Sequence, residues 1–183
     1  MTLAGADGRD RALTLVYAVP LQSEGLTWFH HPQRAIPLEG TRSEVLNATR
    51  HAVGANGLLS RYPFGAVGAG GSGCAIGLDP ATPVVYRIGC QPQTRELYLA
   101  CDIGLAREKS SATFRFCVFD FDAAGGFRGA LARYYGIYPD AFVTRIREQG
   151  VWMPFAAVSK VEGWEDFGFR FKEGDGETAW DDA

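Results

Sequence analysis

Residues 126–155 read GFRGALARYYGIYPDAFVTRIREQGVWMPF, and this stretch separates two differently built parts of the chain. In its first half, aromatic and aliphatic residues recur at spacings of three and four, which places them on one face of a helix. Pro139 ends that helix, because proline has no amide hydrogen to donate and disfavours a helical residue before it. The stretch predicts an amphipathic helix with a buried stripe of Phe127, Leu131, Tyr134, Tyr135 and Tyr138.

The second half of the stretch predicts another helix and then a strand. Pro139 suits a first helical turn, and Asp140 lies near the positive end of the helix dipole. Gly150 suits the left-handed residue that follows a last turn. Residues 151–155, VWMPF, are nearly all apolar. Such a run is typical of a strand buried on both faces, as in a parallel sheet or a barrel.

Upstream of residue 123, short apolar segments alternate with turn residues. The connections GAGGS, DPATP, PQT and LAREKS have the chemistry of hairpins or meanders. Many strands with short turns and no intervening helix predict a sandwich of antiparallel sheets. Residues 1–10 predict an irregular start, and residues 39–56 a loop with a strand at either end. The other predicted strands are 11–19, 26–30, 34–38, 62–67, 73–78, 84–89, 96–102 and 112–122, the last central in its sheet at one end.

Composition indicates a folded protein without nucleic-acid or membrane partners. The chain has 183 residues, of which 46% are hydrophobic and 21% charged, and its net charge is -3. That length permits one domain, or most of one and part of another. Charges of both signs are scattered, so no basic surface for nucleic acid is predicted. No segment approaches the ~20 apolar residues of a membrane span, and Met1–Asp10 lack a signal-peptide pattern. The cellular compartment stays open.

The cysteines predict buried thiols rather than metal ligands. None belongs to a CxxC pair, and no histidine lies at zinc-finger spacing from them. Each falls inside a predicted strand among apolar residues, where cysteine acts as a small hydrophobic residue. Disulfide formation stays open. We therefore predict no metal and no cofactor for Cys74, Cys90, Cys101 and Cys117.

The glycine-rich run Gly68–Gly73 has the composition of a phosphate loop, but it does not precede a helix. A phosphate loop needs the free amides of a helix N-terminus to hold the anion. Here the run leads into CAIGLDP, a predicted strand. A hairpin turn is the expected structure.

Two segments contain candidate carbohydrate contacts. Trp28 and His30 combine an aromatic face with a group that titrates near neutrality, although a surface turn leading into Pro32 explains the same residues. Trp152 lies in the VWMPF run, and Trp164 lies beside the acidic tail. These four residues are the candidate substrate-binding side chains.

The C-terminal tail is rich in carboxylates that alternate with aromatic residues. Glycoside hydrolysis requires an acid, a nucleophile or base, and rings that hold the sugar. In DFGFRFKEG the phenylalanines alternate with polar residues, which predicts a strand ending at Glu173. A carboxylate just past a barrel strand lies on the functional face. Glu165, Asp166 and Glu173 are therefore the candidate catalytic residues, and a solvated acidic tail is the alternative.

Six segments together carry a resemblance to a known group of proteins. In chain order they are SRYPFGAV, YRIG, LACDIGL, FDFDAAGGFRGALARYYGIYPDAF, GVWMPF and EDFGFRFKEG. The order resembles that of large bacterial glycoside hydrolase-like proteins, in which a galactose-mutarotase-like β-supersandwich precedes a (β/α) barrel. The resemblance runs from about Arg11 to the last residue, and the aromatic helix before WMPF is its most specific part.

The resemblance implies a chain that spans the junction of two domains. Residues 1–122 would be part of the supersandwich, 123–150 a helical linker, and 151–183 the first strands of a truncated barrel. A barrel needs roughly 250 residues, so the expected partners are a carbohydrate and the rest of the barrel.

Two functions follow as alternatives: part of a carbohydrate-active enzyme that acts on glycosidic bonds, or a non-catalytic carbohydrate-binding or structural β-sandwich module. A mutarotase-type epimerase is a weaker third, since it needs a positioned histidine and glutamate. We expect no turnover from the 183-residue chain itself. We also expect self-association through the apolar VWMPF and FGFRF segments.

Overall fold

The computed structural model describes residues 1–49, 57–145, 150–153, 162–163, 166 and 168–172. The chain divides into two compact units, Met1–Phe142 and Val143–Ala183. Strands dominate the described residues, and a single α-helix accompanies them. The prediction of a mainly β protein built from antiparallel sheets is confirmed.

The first unit contains eleven described strands and the helix. The strands are β1 (Thr2–Ala4), β2 (Arg11–Pro20), β3 (Thr27–His31), β4 (Arg34–Pro37), β5 (Val45–Leu46), β6 (Phe64–Ala69), β7 (Ser72–Leu78), β8 (Tyr86–Gln91), β9 (Glu96–Leu105), β10 (Ser111–Thr113) and β11 (Phe116–Asp122). The helix α1 spans Gly126–Ile137, after a 3-10 turn over Ala123–Gly125.

Two antiparallel sheets form a β-sandwich-like body. One has the strand order β2-β9-β8-β5 and the other β11-β7-β6-β3-β4, while β1 pairs with β10. Because side chains alternate across a strand, each sheet sends every second residue into the space between them. That space is filled by aliphatic side chains and by Trp28, which is fully buried. Gly65 lets the sheets approach closely, since a Cβ there would lie 2.5 Å from Ile88 and 2.7 Å from Trp28.

Helix α1 covers the outer face of the five-stranded sheet. Phe127, Ala130 and Tyr134 are its buried residues, at the three- and four-residue spacing that the sequence predicts for one face. They pack on aromatic and alanine side chains of β6, β7 and β11 in a second cluster. The predicted stripe is wrong at Tyr135, which is 43% exposed, because the small Ala130 rather than a large residue allows the helix to lie close to the sheet.

Residues 1–10 are more ordered than the sequence predicts. Strand β1 pairs with β10 in the register Thr2↔Thr113 to Ala4↔Ser111. The N-terminal ammonium donates to the carbonyl of Phe114 at 3.0 Å. The prediction of an irregular start is therefore wrong for Thr2–Ala4. A period-two pattern over three residues is too short to be recognised in a sequence.

The predicted strand 112–122 is interrupted and lies at an edge. Phe114 is buried between β10 and β11, and it separates them. Among the described strands, β11 pairs with β7 alone, so it is not central. The second apolar face that suggested a central strand is instead the contact of Phe119 and Phe121 with α1.

The predicted second helix is wrong for residues 139–145. Pro139–Phe142 form one 3-10 turn, and 143–145 are not helical. Phe142 folds back on α1, with ring centroids 4.1 Å from Tyr135 and 5.6 Å from Tyr134. The rest of the predicted helix, 146–149, lies outside the described residues.

The second unit contains β12 (Val151–Met153) and β13 (Phe169–Lys172), which pair in parallel. Parallel strands need a crossover connection, and most residues between these two lie outside the described part. The expectation that VWMPF is buried on both faces is wrong for its first two residues. Val151 is 50% and Trp152 55% exposed.

The cysteines all lie on strands as free thiols. Cys90 and Cys101 are buried, and Cys74 and Cys117 are half-buried. The prediction of buried thiols is confirmed for Cys90 and Cys101, while Cys74 and Cys117 are only partly buried.

Candidate ligand-binding cleft

A cleft of about 270 Å³ opens at one end of the space between the two sheets. Its walls come from the end of β2 and the residues after it, from the β6–β7 hairpin, and from β11. A volume of this size admits one small ligand. The lining residues are Val19, Pro20, Leu21, Gln22, Ser23, Leu26, Val67, Gly68, Ser72, Gly73, Cys74 and Asp120.

Glycines set the hairpin wall of the cleft. Gly70 and Gly71 have φ values of 57° and 87°, the left-handed pair that a tight hairpin turn requires. The glycine-rich run thus joins two strands, which confirms the expected hairpin. Gly73 pairs with Phe121, and a Cβ on Gly73 would lie 2.4 Å from that ring. Because Gly73 has no side chain, the Phe121 ring of β11 can pack closely against β7.

The polar groups of the cleft surround an apolar floor. Asp120 is the register partner of Cys74, so both side chains point into the space between the sheets. Gln22, Ser23 and Ser72 are exposed at the rim. The cleft therefore offers a carboxylate, an amide and two hydroxyls as hydrogen-bonding groups.

The Cys74 thiol is not activated for nucleophilic chemistry. Burial raises its pKa, and the negative charge of Asp120 raises that pKa further. A thiol needs a lowered pKa to supply the reactive thiolate at neutral pH. Among the described lining residues, Asp120 supplies one carboxylate. Hydrolysis of a glycosidic bond generally uses two carboxyl groups.

A second polar cluster lies on the outer face of the four-stranded sheet. Arg87 forms two hydrogen bonds to the carboxylate of Asp102, and Thr14 donates to the same group at 2.8 Å. The hydroxyl of Tyr98 hydrogen-bonds to Glu44. The Arg87 side chain is only 5% exposed. This cluster is a buried ion pair with its hydrogen bonds made, so it fixes β8 against β9.

Trp28 and His30 are neighbours in space, and Trp28 belongs to the core while His30 is half-buried. The indole nitrogen of Trp28 donates to Nδ1 of His30 at 3.3 Å. Trp28 has no exposed surface, so its ring offers no face to a sugar. Burial, followed by the positive charges of Arg34, His31 and Arg61, lowers the pKa of His30. Its imidazole is therefore neutral at neutral pH.

The remaining candidate residues lie in the second unit or outside the described part. Asp166 is exposed, and its amide donates to the carbonyl of Gly163 at 3.1 Å. Trp152 is exposed on β12. Glu165, Glu173 and Trp164 lie outside the described residues. The described lining of the cleft comes from residues 19–120 of the first unit.

Asp120 is not among the functional residues that the sequence predicts. Asp120 and Cys74 are far apart in the chain, and only the β7–β11 register brings them together. The one available signal is the pair of aspartates, Asp120 and Asp122, in a mainly apolar strand. In the described part of the chain, no cluster of three or more His, Cys, Asp or Glu side chains is arranged to hold a metal. None of its helices is long and apolar enough to cross a membrane.

No protein-family model and no curated protein matches the sequence.

Proposed function

We propose that the chain is the carbohydrate-binding part of a glycoside hydrolase-like, carbohydrate-active enzyme, and that the inter-sheet cleft holds the sugar. The observation that carries the proposal is the placement of Asp120 beside an apolar floor at a cleft sized for one small ligand. A carboxylate accepts hydrogen bonds from two adjacent hydroxyl groups. The C–H face of the same sugar ring can pack on the half-buried side chains of Val19 and Leu26.

The sequence resemblance supports the same assignment at the level of fold. A β-sandwich-like body, an aromatic helix and a parallel strand pair occur in the order expected for a galactose-mutarotase-like sandwich followed by a (β/α) barrel. We propose that β12 and β13 are the first two barrel strands, because parallel neighbours joined by a crossover are the repeating unit of that fold. Hydrolysis would then belong to the barrel, with Glu165, Asp166 and Glu173 as the candidate carboxylates.

The binding test is a calorimetric or NMR titration of the 183-residue chain with methyl glycosides of common hexoses. We expect dissociation constants near about 1 mM, as for one small ligand with few contacts. Asp120→Asn should weaken binding at least about 10-fold, because an amide accepts fewer hydrogen bonds than a carboxylate. Asp140→Asn is the matched control, since Asp140 is exposed in a turn and does not line the cleft.

Two results would overturn the proposal. One is the absence of binding to every hexoside at about 10 mM. The other is equal loss of affinity in Asp120→Asn and Asp140→Asn, which would place the sugar elsewhere.

A parallel assay with chromogenic glycosides tests whether hydrolysis depends on the carboxylates of the second unit. Turnover by this chain that survives Glu165→Gln and Glu173→Gln would contradict the assignment of hydrolysis to the second unit.

A further inference from the structure

Among the described strands, β2 lies at the edge of its sheet. It is ten residues long and, among the described strands, pairs with β9 alone. The amide of Leu21 donates to the carbonyl of Arg95, which continues the β2–β9 register. Hydrogen-bonded pairs alternate in an antiparallel ladder, so the odd-numbered residues of β2 bond to β9. The amides and carbonyls of the even-numbered residues point away from the sheet.

The alternation in β9 supports this assignment. The amide of Asp102, an even-numbered residue, donates to Val85 in the direction of β8. A central strand bonds to its two neighbours with alternate residues. The odd-numbered residues of β9 are thus those that bond to β2. The outward amides of β2 belong to Ala12, Thr14, Val16 and Ala18.

The free edge is also apolar and uncharged. Val16 is 58%, Leu13 40% and Tyr17 37% exposed. Residues 12–19, ALTLVYAV, contain no charge and no proline. Proteins usually protect an exposed edge with lysine, proline or a bulge, because unpaired backbone groups recruit another strand. Arg11 and Pro20 stand only at the two ends of β2, and its register with β9 is unbroken.

We propose that the occupant of this edge is β2 of a second copy of the chain, in an antiparallel dimer with two-fold symmetry. The two four-stranded sheets then form one continuous eight-stranded sheet. In the best register Leu15 lies opposite Leu15 of the partner copy. Ala12 then faces Ala18, and Thr14 faces Val16, so all four outward amides of each strand find a carbonyl.

The side chains favour the same register. Leu13 lies opposite Tyr17 of the partner copy, in a pair without hydrogen bonds, where side chains are closest. Both are exposed in the single chain, so pairing covers apolar surface on each side of the axis. Shifting the partner by two residues pairs Tyr17 with Arg11 in one direction. In the other direction it pairs Ala12 with Pro20, which has no amide to donate.

The first test is sedimentation equilibrium of the full chain and of three variants. Val16→Pro removes an outward amide but no bond to β9, so the fold should persist while the dimer dissociation constant rises at least about 10-fold. Val16→Lys should do the same by placing a charge on the edge. Val118→Lys is the matched control, because Val118 is a 42% exposed valine on edge strand β11. It should leave the dimer unchanged.

The second test reads the register. Opposite residues of an antiparallel pair lie at Cα distances that a disulfide can span. With oxidised glutathione as the electron acceptor, Leu15→Cys should give a covalent dimer, because the two introduced thiols lose two protons and two electrons to form one S–S bond. Leu13→Cys should not, since it faces Tyr17. The wild-type chain controls for its own four thiols.

Several outcomes would overturn the proposal. They are a wild-type chain that is monomeric at about 100 µM, a dimer that survives Val16→Pro, and a dimer lost in Val118→Lys. A dimer lost instead in Trp152→Ser would assign the contact to the second unit. Equal cross-linking of Leu13→Cys and Leu15→Cys would refute the register. None of these results depends on sugar binding.

Discussion

Tyr134 supplies a hydrogen bond that the sheet itself cannot make. The amide of Leu78 donates to the carbonyl of Pro63 at 2.8 Å, which makes the two residues a hydrogen-bonded pair of the β6–β7 ladder. Such a pair normally exchanges two bonds, but proline has no amide to return. The carbonyl of Leu78 instead accepts from the Tyr134 hydroxyl at 2.7 Å. Tyr134 of helix α1 thus supplies the hydrogen-bond donor that Pro63 lacks.

Replacing Tyr134 with phenylalanine isolates this bond. The ring is fully buried, and its contacts with Phe64 at 5.5 Å and Phe119 at 6.4 Å would remain. The Leu78 carbonyl would be buried without a donor, which costs about 1–3 kcal/mol. We expect the free energy of unfolding to fall by about 2 kcal/mol in urea titrations followed by circular dichroism. Tyr135→Phe, at a 43% exposed position, should change it by less than about 0.5 kcal/mol.

A double-mutant cycle tests the cause. Pro63→Ala restores the missing amide at a small cost from the more flexible unfolded chain, about 0.4–1 kcal/mol. In that background the ladder can satisfy the Leu78 carbonyl, so Tyr134→Phe should cost at least about 1 kcal/mol less than in the wild type. An equal loss of unfolding free energy in both backgrounds would refute the explanation, because it would show that the tyrosine hydroxyl does not compensate for the missing amide of Pro63.

Three further predictions concern the sheets. Gly65→Ala should lower the free energy of unfolding by about 1–3 kcal/mol, because its Cβ meets an isoleucine methyl at 2.5 Å, whereas Gly104→Ala, with open space around it, should not destabilise. Arg87→Ala should cost about 1.5–3 kcal/mol, because it removes two hydrogen bonds between a 5% exposed guanidinium and the carboxylate of Asp102. Arg115→Ala, whose ion pair is 4.0 Å long and 69% exposed at the arginine, should cost less than about 1 kcal/mol. Burial raises the pKa of Cys101 from 9.0 to about 11, so the unfolded chain loses this proton first and stability falls as pH rises across that window. Urea titrations at several pH values measure how steeply the free energy of unfolding falls with pH. For Cys101→Ala this slope should be smaller than for the wild type, by up to about 1.4 kcal/mol per pH unit.

The sequence predicted the features that depend on neighbouring residues. Period-two patterns located most strands of the first unit, and the aromatic repeat located helix α1. The errors arose where tertiary contacts overrode local pattern. Tyr135 satisfies the helical repeat as well as Tyr134 does, but the sheet selects the face that carries Ala130. Phe142 lies in the segment for which the sequence predicts a second helix, yet the structure has it in a 3-10 turn whose ring packs on Tyr135 of α1.

The candidate site was much less predictable. Its carboxylate, Asp120, lies in a mainly apolar strand, and the cleft is lined by residues from both sheets that are far apart in the chain. The aromatic residues that the sequence favours for sugar binding differ in exposure, since Trp28 is buried and Trp152 is exposed. Stacking residues cannot be distinguished from core residues by composition, because burial depends on the register of the whole sheet.

The cleft and the core share the β7–β11 strand pair, and this allows binding and stability to be separated. Gly73 and Phe121 lie on the helix side of the pair, while Cys74 and Asp120 lie on the cleft side. Gly73→Ala would drive a methyl into the Phe121 ring, so β11 must shift; we expect a loss of about 1–3 kcal/mol together with weaker sugar binding. Asp120→Asn changes an exposed carboxylate, so unfolding should stay within about 0.5 kcal/mol of wild type while binding weakens. Urea titration and calorimetry on both variants test this. If Asp120→Asn destabilised the fold as much as Gly73→Ala, the carboxylate would be a structural group, and its role in the cleft would have to be abandoned.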